Sequence, residues 1–153
     1  MSLYLRGARS TDAGKLGRML SQAVSSNAWK PKLHSEAEDI SHIGSLIDRG
    51  WVTVCERAGE VAGFLALDGA TVQSLYVAQN AQNQGIGTTL LKAAQAKCDR
   101  LTLWTFEANE GAQRFYARQG FTEAERTDGS GNEKGLPDIR MTWQCAKKES
   151  HDG

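Results

Sequence analysis

Leu75-Tyr76-Val77-Ala78-Gln79-Asn80-Ala81-Gln82-Asn83-Gln84-Gly85-Ile86-Gly87-Thr88-Thr89-Leu90-Leu91 is the stretch on which the reading of this chain turns. A β-like run ends at Val77, a short polar loop follows, and a glycine-bearing turn opens a helical pattern through Leu90 and Leu91. Glycines at such a turn let the backbone approach a ligand closely. Free N–H groups at a helix N-terminus point at an anion, and the helix dipole favours negative charge there. The outline is that of a pyrophosphate cradle. Two well-known cradles do not fit. The P-loop pattern G-x-x-x-x-G-K-[ST] finds no glycine at the right spacing before Gly85 and no lysine after it. The dinucleotide fingerprint G-x-G-x-x-G fails because Leu90 stands where its third glycine belongs. An ordinary helix start with a flexible turn explains the loop, taken alone, about as well.

Upstream of the loop lie three short β-like runs, Trp51–Arg57, Val61–Leu67 and Thr71–Val77, separated by turns at Ala58-Gly59-Glu60 and Asp68-Gly69. They predict an antiparallel meander. Before them, Tyr4–Arg9 reads as a first strand, and Thr11 to about Ser25 as a helix with Leu16, Met19, Leu20, Ala23 and Val24 on one face. Asn27–Leu33, with Trp29 and Pro31, is a break. Ser35-Glu36-Ala37-Glu38 has the form of a capping box, so a second helix runs from Ser35 to about Arg49, with Gly50 as its terminator. Downstream, a helix is predicted from about Ile86 to Asp99, with Cys98 on its apolar face, and a strand over Leu101–Phe106. Asn109 caps a helix from Gly111 to Gln119, which Gly120 stops. A strand over Phe121–Arg126, a glycine-rich connection over Thr127–Pro137 and a strand over Ile139–Cys145 complete the chain. The order β-α-α-β-β-β-α-β-α-β-β is that of an α/β (α+β) domain, one mixed sheet with helices on both faces.

Composition narrows the function. The 153 residues suit one domain spanning 1–153, and a chain of this length buries roughly two thirds of its unfolded surface without metal or disulfide staples. Eighteen basic and eighteen acidic residues cancel, which argues against a nucleic-acid partner, because that binding runs on phosphate neutralisation. No apolar run is long enough to span a bilayer and no secretory h-region is visible, so neither a membrane nor a secretory role is expected. Cys55, Cys98 and Cys145 are odd in number and widely spaced, which fits small buried hydrophobes in a reduced cytoplasmic setting. His34, Glu38 and His42 share i, i+4 spacing, but a helix capped at Ser35 leaves His34 outside it and breaks the stripe; no metal site is expected.

Gln82-x-x-Gly85-x-Gly87 fits the Q/R-x-x-G-x-G/A pattern of the GCN5-related N-acetyltransferases, the GNAT family. Leu75-Tyr76-Val77 resembles the strand that precedes this pattern in that family. Asn109-Glu110-Gly111-Ala112-Gln113-Arg114-Phe115-Tyr116-Ala117-Arg118-Gln119-Gly120-Phe121 resembles its N-x-x-A-x-x-F-Y-x-x-x-G-F segment. The resemblance covers about Trp51 to Phe121, and it implies a GNAT-like single mixed, mostly antiparallel sheet with two splayed central parallel strands, Thr71–Val77 and Leu101–Phe106. Acetyl-CoA would enter as co-substrate between them. The backbone of Gln82, Asn83, Gln84, Gly85, Ile86, Gly87 and Thr88 would hold the pyrophosphate, and Leu75 and Val77 would pair with the pantetheine arm. The Val77 N–H would polarise the thioester carbonyl, and Asn109 would contact the cofactor arm. Gln82 stands where many relatives carry Arg and adds a neutral donor only.

The implied activity is N-acetylation of a primary amine of a small molecule, peptide or protein by direct transfer. Tyr116 matches the family's general-acid tyrosine; its other reading is a core aromatic with its hydroxyl tied to the backbone. Leu103, Trp104 and Phe106 read as core ahead of cofactor wall. Thr71 stands where many relatives carry a base Glu, which leaves the base open. His34 is the leading candidate for it. The acceptor pocket is expected between Trp29–His42, with Trp29 and Glu36 as substrate contacts, and Thr127–Asp138, where Asn132, Glu133 and Asp138 would meet a polar acceptor. Those carboxylates also read simply as a solvated helix face and an ordinary surface loop. A homodimer is compatible with the family. A non-catalytic acyl-CoA-binding sensor is the competing reading, which the missing strand Glu favours and Tyr116 opposes.

Overall fold

The computed structural model describes residues 2–25 and 31–145. Seven strands form one mixed sheet: β1 (Leu3–Gly7), β2 (Val52–Arg57), β3 (Glu60–Asp68), β4 (Thr71–Val77), β5 (Arg100–Phe106), β6 (Thr122–Thr127) and β7 (Asp138–Gln144). Four helices join them: α1 (Ala13–Ser25), α2 (Glu36–Asp48), α3 (Ile86–Lys97) and α4 (Glu110–Arg118). The spatial order is β1-β2-β3-β4-β5-β7-β6, and every neighbouring pair is antiparallel except β4–β5.

Local chemistry explains most boundaries. The β2–β3 hairpin turns on Ala58 (φ 54°) and Gly59 (φ 80°), and two positive φ values are what a two-residue turn matching the strand twist demands. Ser35 caps α2: its Oγ accepts from the Glu38 N–H at 3.1 Å, and Glu38 Oε1 accepts from the Ser35 N–H at 2.8 Å. Asn109 Oδ1 accepts from the Ala112 N–H at 3.1 Å and caps α4. The first helix starts later than its apolar pattern suggests, because Ser10–Asp12 forms a 3-10 turn first. A second such turn, Gln79–Ala81, sits inside the polar loop. Helix α3 ends at Lys97, since Cys98 is already extended (φ −129°, ψ 143°); its side chain still packs, partly buried, against the α3-side cluster, and its thiol reaches the Gly69 carbonyl.

Two apolar clusters sandwich the sheet. Leu16, Met19, Ile43, Leu46 and Ile47 of α1 and α2 cover Val52, Val54, Phe64 and Ala66 on one face. Ile86, Leu90, Leu91 and Ala94 of α3 pack on the other with Leu65, Val72, Leu101, Leu103 and Met141. Fully buried residues such as Leu90 and Leu91 each contribute roughly 1.5–3 kcal/mol. Two glycines permit the close approaches. A Cβ on Gly63 would lie 2.8 Å from Ile86 Cγ2, and one on Gly17 only 2.4 Å from the Ile40 Cα, so α3 meets β3 and α1 meets α2 at nearly bare backbone. Trp104 corrects the expectation of core: it lies on the face of β5 opposite Leu103 and is 46% exposed.

The feature that matters for function is in β4. Ala66 pairs with Ser74 and Leu67 with Val72, so Gln73 is an extra residue, a β-bulge. Beyond it β4 leaves β5: the two pair only at Thr71↔Thr102 and Val72↔Leu103, while β5 pairs with β7 along its whole length. The strands splay where the resemblance implied. The bulge also resets the face of each side chain. Val72, Leu75 and Val77 join the α3 side, and Tyr76 the α1–α2 side.

Away from this opening, Arg6 ties the sheet edge to the first helix. It donates to Asp12 at 2.8 and 3.1 Å and to Glu56 at 2.6 Å, with all three side chains mostly buried. The Arg6 hydrogen bonds hold the Asp12 carboxyl below its ordinary value. A depressed carboxyl stabilises the fold above its unfolded pKa and loses that contribution as pH falls through the folded value. Asp12→Asn should therefore lower stability by about 1–3 kcal/mol at neutral pH. Urea titrations of both proteins at pH 7 and near pH 3 check this; the gap should close at the lower pH.

Candidate active site

The backbone of β4 beyond the bulge is oriented by its pairing with β3. The Ala78 N–H donates to the Ala62 carbonyl at 2.8 Å. In an antiparallel ladder alternate residues turn their polar groups to opposite sides. Val77, opposite Gly63, and Leu75, opposite Leu65, thus present N–H and C=O toward the gap that β5 has vacated. An extended ligand arm laid there would find donors and acceptors already aligned.

The polar loop ends at this gap. Its residues Gln82, Asn83, Gln84 and Gly85 are exposed. Asn83 (φ 64°) and Gly85 (φ 80°) hold the left-handed backbone that aims the chain into α3. Unlike α2 and α4, α3 has no side-chain cap, so the first-turn N–H groups at Ile86, Gly87 and Thr88 lack an intrahelical or capping acceptor. A Cβ on Gly85 would meet nothing within 4 Å, which leaves the turn open to a ligand. The Ile86 side chain is buried, so only its backbone can serve a ligand. Gly87 passes close to Phe115, and the Thr88 hydroxyl receives Gln119 Nε2 at 3.3 Å, which locks α4 beside the helix start. The residues fit the diphosphate and pantetheine of a coenzyme A thioester. Gln82 offers no charge, but Arg57 at the end of β2 donates to Gln84 Oε1 and forms no ion pair among the described residues. A cation therefore reaches the loop from a strand that the motif does not include.

On the α1–α2 side of β4 lies a cavity of about 430 Å³. Leu20, Val24 and Leu33 form an apolar wall; Ser74 and Tyr76 come from β4; His34, Glu38, Asp39, His42, Glu133 and Lys134 are polar. Lys32 Nζ donates to Ser21 Oγ at 2.7 Å and fastens the segment before α2 to α1. The β6–β7 loop is braced from within: Asn132 Nδ2 donates to the Leu136 carbonyl at 2.8 Å, and Gly129 (φ 89°) lies where any Cβ would strike the Leu136 backbone. That bracing delivers Glu133 to the pocket, where it meets His34 Nε2 at 2.9 Å. Glu133 raises the His34 pKa from its ordinary value, with Glu38 and Asp39 adding to it.

Tyr116 belongs to α4 on the far side of the sheet, stacked edge-on against Phe115 with ring centroids 5.3 Å apart and near Phe121. Among the described residues its hydroxyl has no hydrogen-bond partner, so it is not tied to the backbone. Burial pushes its pKa far above the ordinary phenol value, and Tyr76 adds to the shift. Tyr76 is itself raised by burial and by Asp39.

The structure does not bring every expected residue to the site. Glu36 is exposed in the first turn of α2 and does not line the cavity, because the helix phase buries Asp39 and sets the exposed Glu38 on the cavity wall instead. Asp138 is buried on β7, where it accepts from the Thr127 hydroxyl, and Asn132 folds back on its own loop. Asn109 Oδ1 is engaged in capping α4. Thr71 sits at the start of β4 below the bulge and does not reach the cavity. Trp29 lies outside the described residues. Ser74, Tyr76 and Lys134 are additions, and the first two were hidden by the bulge. Among the described residues no three His, Cys, Asp or Glu side chains cluster to hold a metal, and no helix is long and apolar enough to cross a membrane.

Residues 48–123 match the family model described as an acetyltransferase (GNAT) domain. The 5-NmdU N-acetyltransferase of Pseudomonas phage PaMx11 is 39% identical over 85 residues, 50% of this chain; the match covers about three fifths (61%) of that relative's length. The peptidyl-lysine N-acetyltransferase YjaB of Salmonella typhimurium is 28% identical over 134 residues, 84% of this chain and 89% of its own. The fold is shared with a phosphinothricin acetyltransferase from Sinorhizobium meliloti solved in complex with acetyl-CoA, at a TM-score of 0.75 and 19% identity over 96% of this chain and 90% of that one.

Because Glu133 is the main cause of the His34 shift, Glu133→Gln should return the imidazole toward its ordinary pKa near 6.5. An NMR titration of the His34 ring reads this directly. The sign follows from the raised value: the pair stabilises the loop below the unfolded histidine pKa, and that contribution is lost as pH rises through the folded one.

Proposed function

Since the chain belongs to the GNAT acetyltransferase family, we propose that it moves an acetyl group from acetyl-CoA to a primary amine of a small molecule, peptide or protein, by direct transfer within one ternary complex. The observation that carries this reading is the gap beside Leu75 and Val77, closed at one end by the uncapped start of α3 and adjoining a pocket lined by acidic residues. In this reading the first-turn amides of α3 and the Gln82–Gly85 loop hold the diphosphate, and Arg57 brings the positive charge that Gln82 lacks. Leu75 and Val77 hold the pantetheine arm as an added strand. The Val77 N–H donates to the thioester oxygen as it gains negative charge. The relatives' printed activities on peptidyl-lysine and on 5-NmdU leave both a protein and a small-molecule acceptor in view.

The acceptor amine must be neutral to attack. His34 takes its proton, and the upward shift from Glu133 means that it does so only above its raised pKa. As the C–N bond forms and the C–S bond breaks, the sulfur leaves as thiolate and Tyr116 donates its proton to it. The raised Tyr116 pKa keeps the phenol protonated throughout the working pH range, so a change in rate near neutral pH reports the amine and His34. No acid lies on β4 facing the pocket, and that favours the sensor reading as the second one: a protein that binds the thioester and transfers nothing.

Acetyl-CoA at about a hundred times its dissociation constant should add roughly 2.7 kcal/mol, a rise in Tm of about 5–10 °C for a chain of this size. Gly85→Glu should abolish the rise, since φ 80° disfavours a side chain and the carboxylate opposes the diphosphate. Tyr116→Phe should keep the rise and lower kcat by about 10²–10⁴-fold. A normal Tm rise in the wild type with no acetylated product from any amine would favour the sensor.

A further inference from the structure

The pocket holds three carboxylates, and two are already engaged. Glu38 accepts from the Ser35 N–H, as the capping box requires. Glu133 is paired with His34 and has Lys134 beside it. Asp39 differs. It is 8% exposed, it lines the cavity, and among the described residues its side chain makes no hydrogen bond and no ion pair. A carboxylate with this little exposed surface and no partner of its own gains when a cation enters the cavity and meets it. The cavity that it lines also holds Tyr76, His34 and His42 as polar groups and Leu20, Val24 and Leu33 as apolar ones.

We propose that Asp39 is the anchor for the acceptor: the pocket takes a primary alkylammonium on an unbranched apolar stem, with the cation on Asp39 and the stem along Leu20, Val24 and Leu33. The inference rests on the acetyl-transfer reading only for the name acceptor, because recognition of the cation needs no thioester. The apolar wall suits a methylene chain, which gains by leaving water. The carboxylate selects against a neutral or anionic group of the same shape, because only a cation compensates its burial.

The test is binding of n-butylammonium and of the neutral isostere n-butanol to the full chain, followed by NMR chemical-shift titration of the backbone amides of α2 and β4. Wild type should bind the ammonium at least 10-fold more tightly than the alcohol. Asp39→Asn should lose about 10-fold or more for the ammonium and leave the alcohol unchanged, and Asp39→Glu should recover part of the loss. Equal affinity for the two probes in the wild type, no measurable binding of either, or an Asp39→Asn variant that binds the ammonium normally would each overturn the proposal. An acetyl-CoA melting shift measured on the same samples separates the two readings. Ammonium selectivity without that shift would sink the acetyltransferase and keep Asp39 as a cation site. The shift without selectivity would do the reverse.

Discussion

The pairing of β5 constrains everything else in this molecule. All seven residues of β5 are held by β7, whereas β4 keeps only two of them. The cause is local and covalent. One surplus residue, Gln73, bends and twists β4 so that its upper half cannot follow its neighbour. A sheet that fails to close at its centre would normally expose a row of unmet amides. Here the gap is flanked by the polar loop and the uncapped start of α3. Gly63 lets Ile86 sit against β3, and that contact brings the start of α3 to the end of the opening. The splay leaves Tyr76 on one face and Tyr116 on the other, and both phenols are raised chiefly by burial.

The pocket on the α1–α2 side is assembled differently. Its walls come from segments far apart in the chain, and each is stiffened by its own short-range bonds before it meets the others. Ser35 and Glu38 fix the start of α2. Lys32 ties the preceding residues to Ser21. Asn132 folds the β6–β7 loop onto Leu136. The His34–Glu133 contact then bridges two walls 99 residues apart in sequence. In the pocket His34, Glu38 and Glu133 are engaged by neighbours, whereas the buried Asp39 side chain has no partner among the described residues.

How far the sequence could be read depends on the range of the interaction behind each feature. The caps at Ser35 and Asn109 and the hairpin at Ala58-Gly59 are written within three or four residues, and they are legible. The glycine loop is legible because its conformation demands glycine at Gly85. Features that rest on register are not. Nothing in Thr71–Val77 announces that Gln73 will be left over, so the faces assigned to Ser74, Tyr76 and Thr71 follow only once β3 is in place. The phase of α2 separates Asp39 from Glu36, although both are acids in one turn. Trp104 was expected inside because it is large and apolar, but the inward positions of β5 belong to Leu101, Leu103 and Thr105. Asp138 was expected to face a substrate, and its neighbour Thr127 across the ladder claims it first.

The two-residue junction also divides the chain. Strands β1 to β4 all come from residues 3–77, and β5, β7 and β6 all come from 100–144. The seam in the sheet therefore coincides with a seam in the sequence, crossed by α3 and its flanking turns. During synthesis the first four strands can finish their ladder before any residue of the other three leaves the ribosome, since none of their pairings waits on a later strand. The two half-sheets are then natural cooperative units of opening, joined by four paired residues and the apolar layer beneath α3. A molecule seated in the cleft would lie between the two units. Its occupancy would be felt less as a local contact than as a splint across the weakest joint of the architecture.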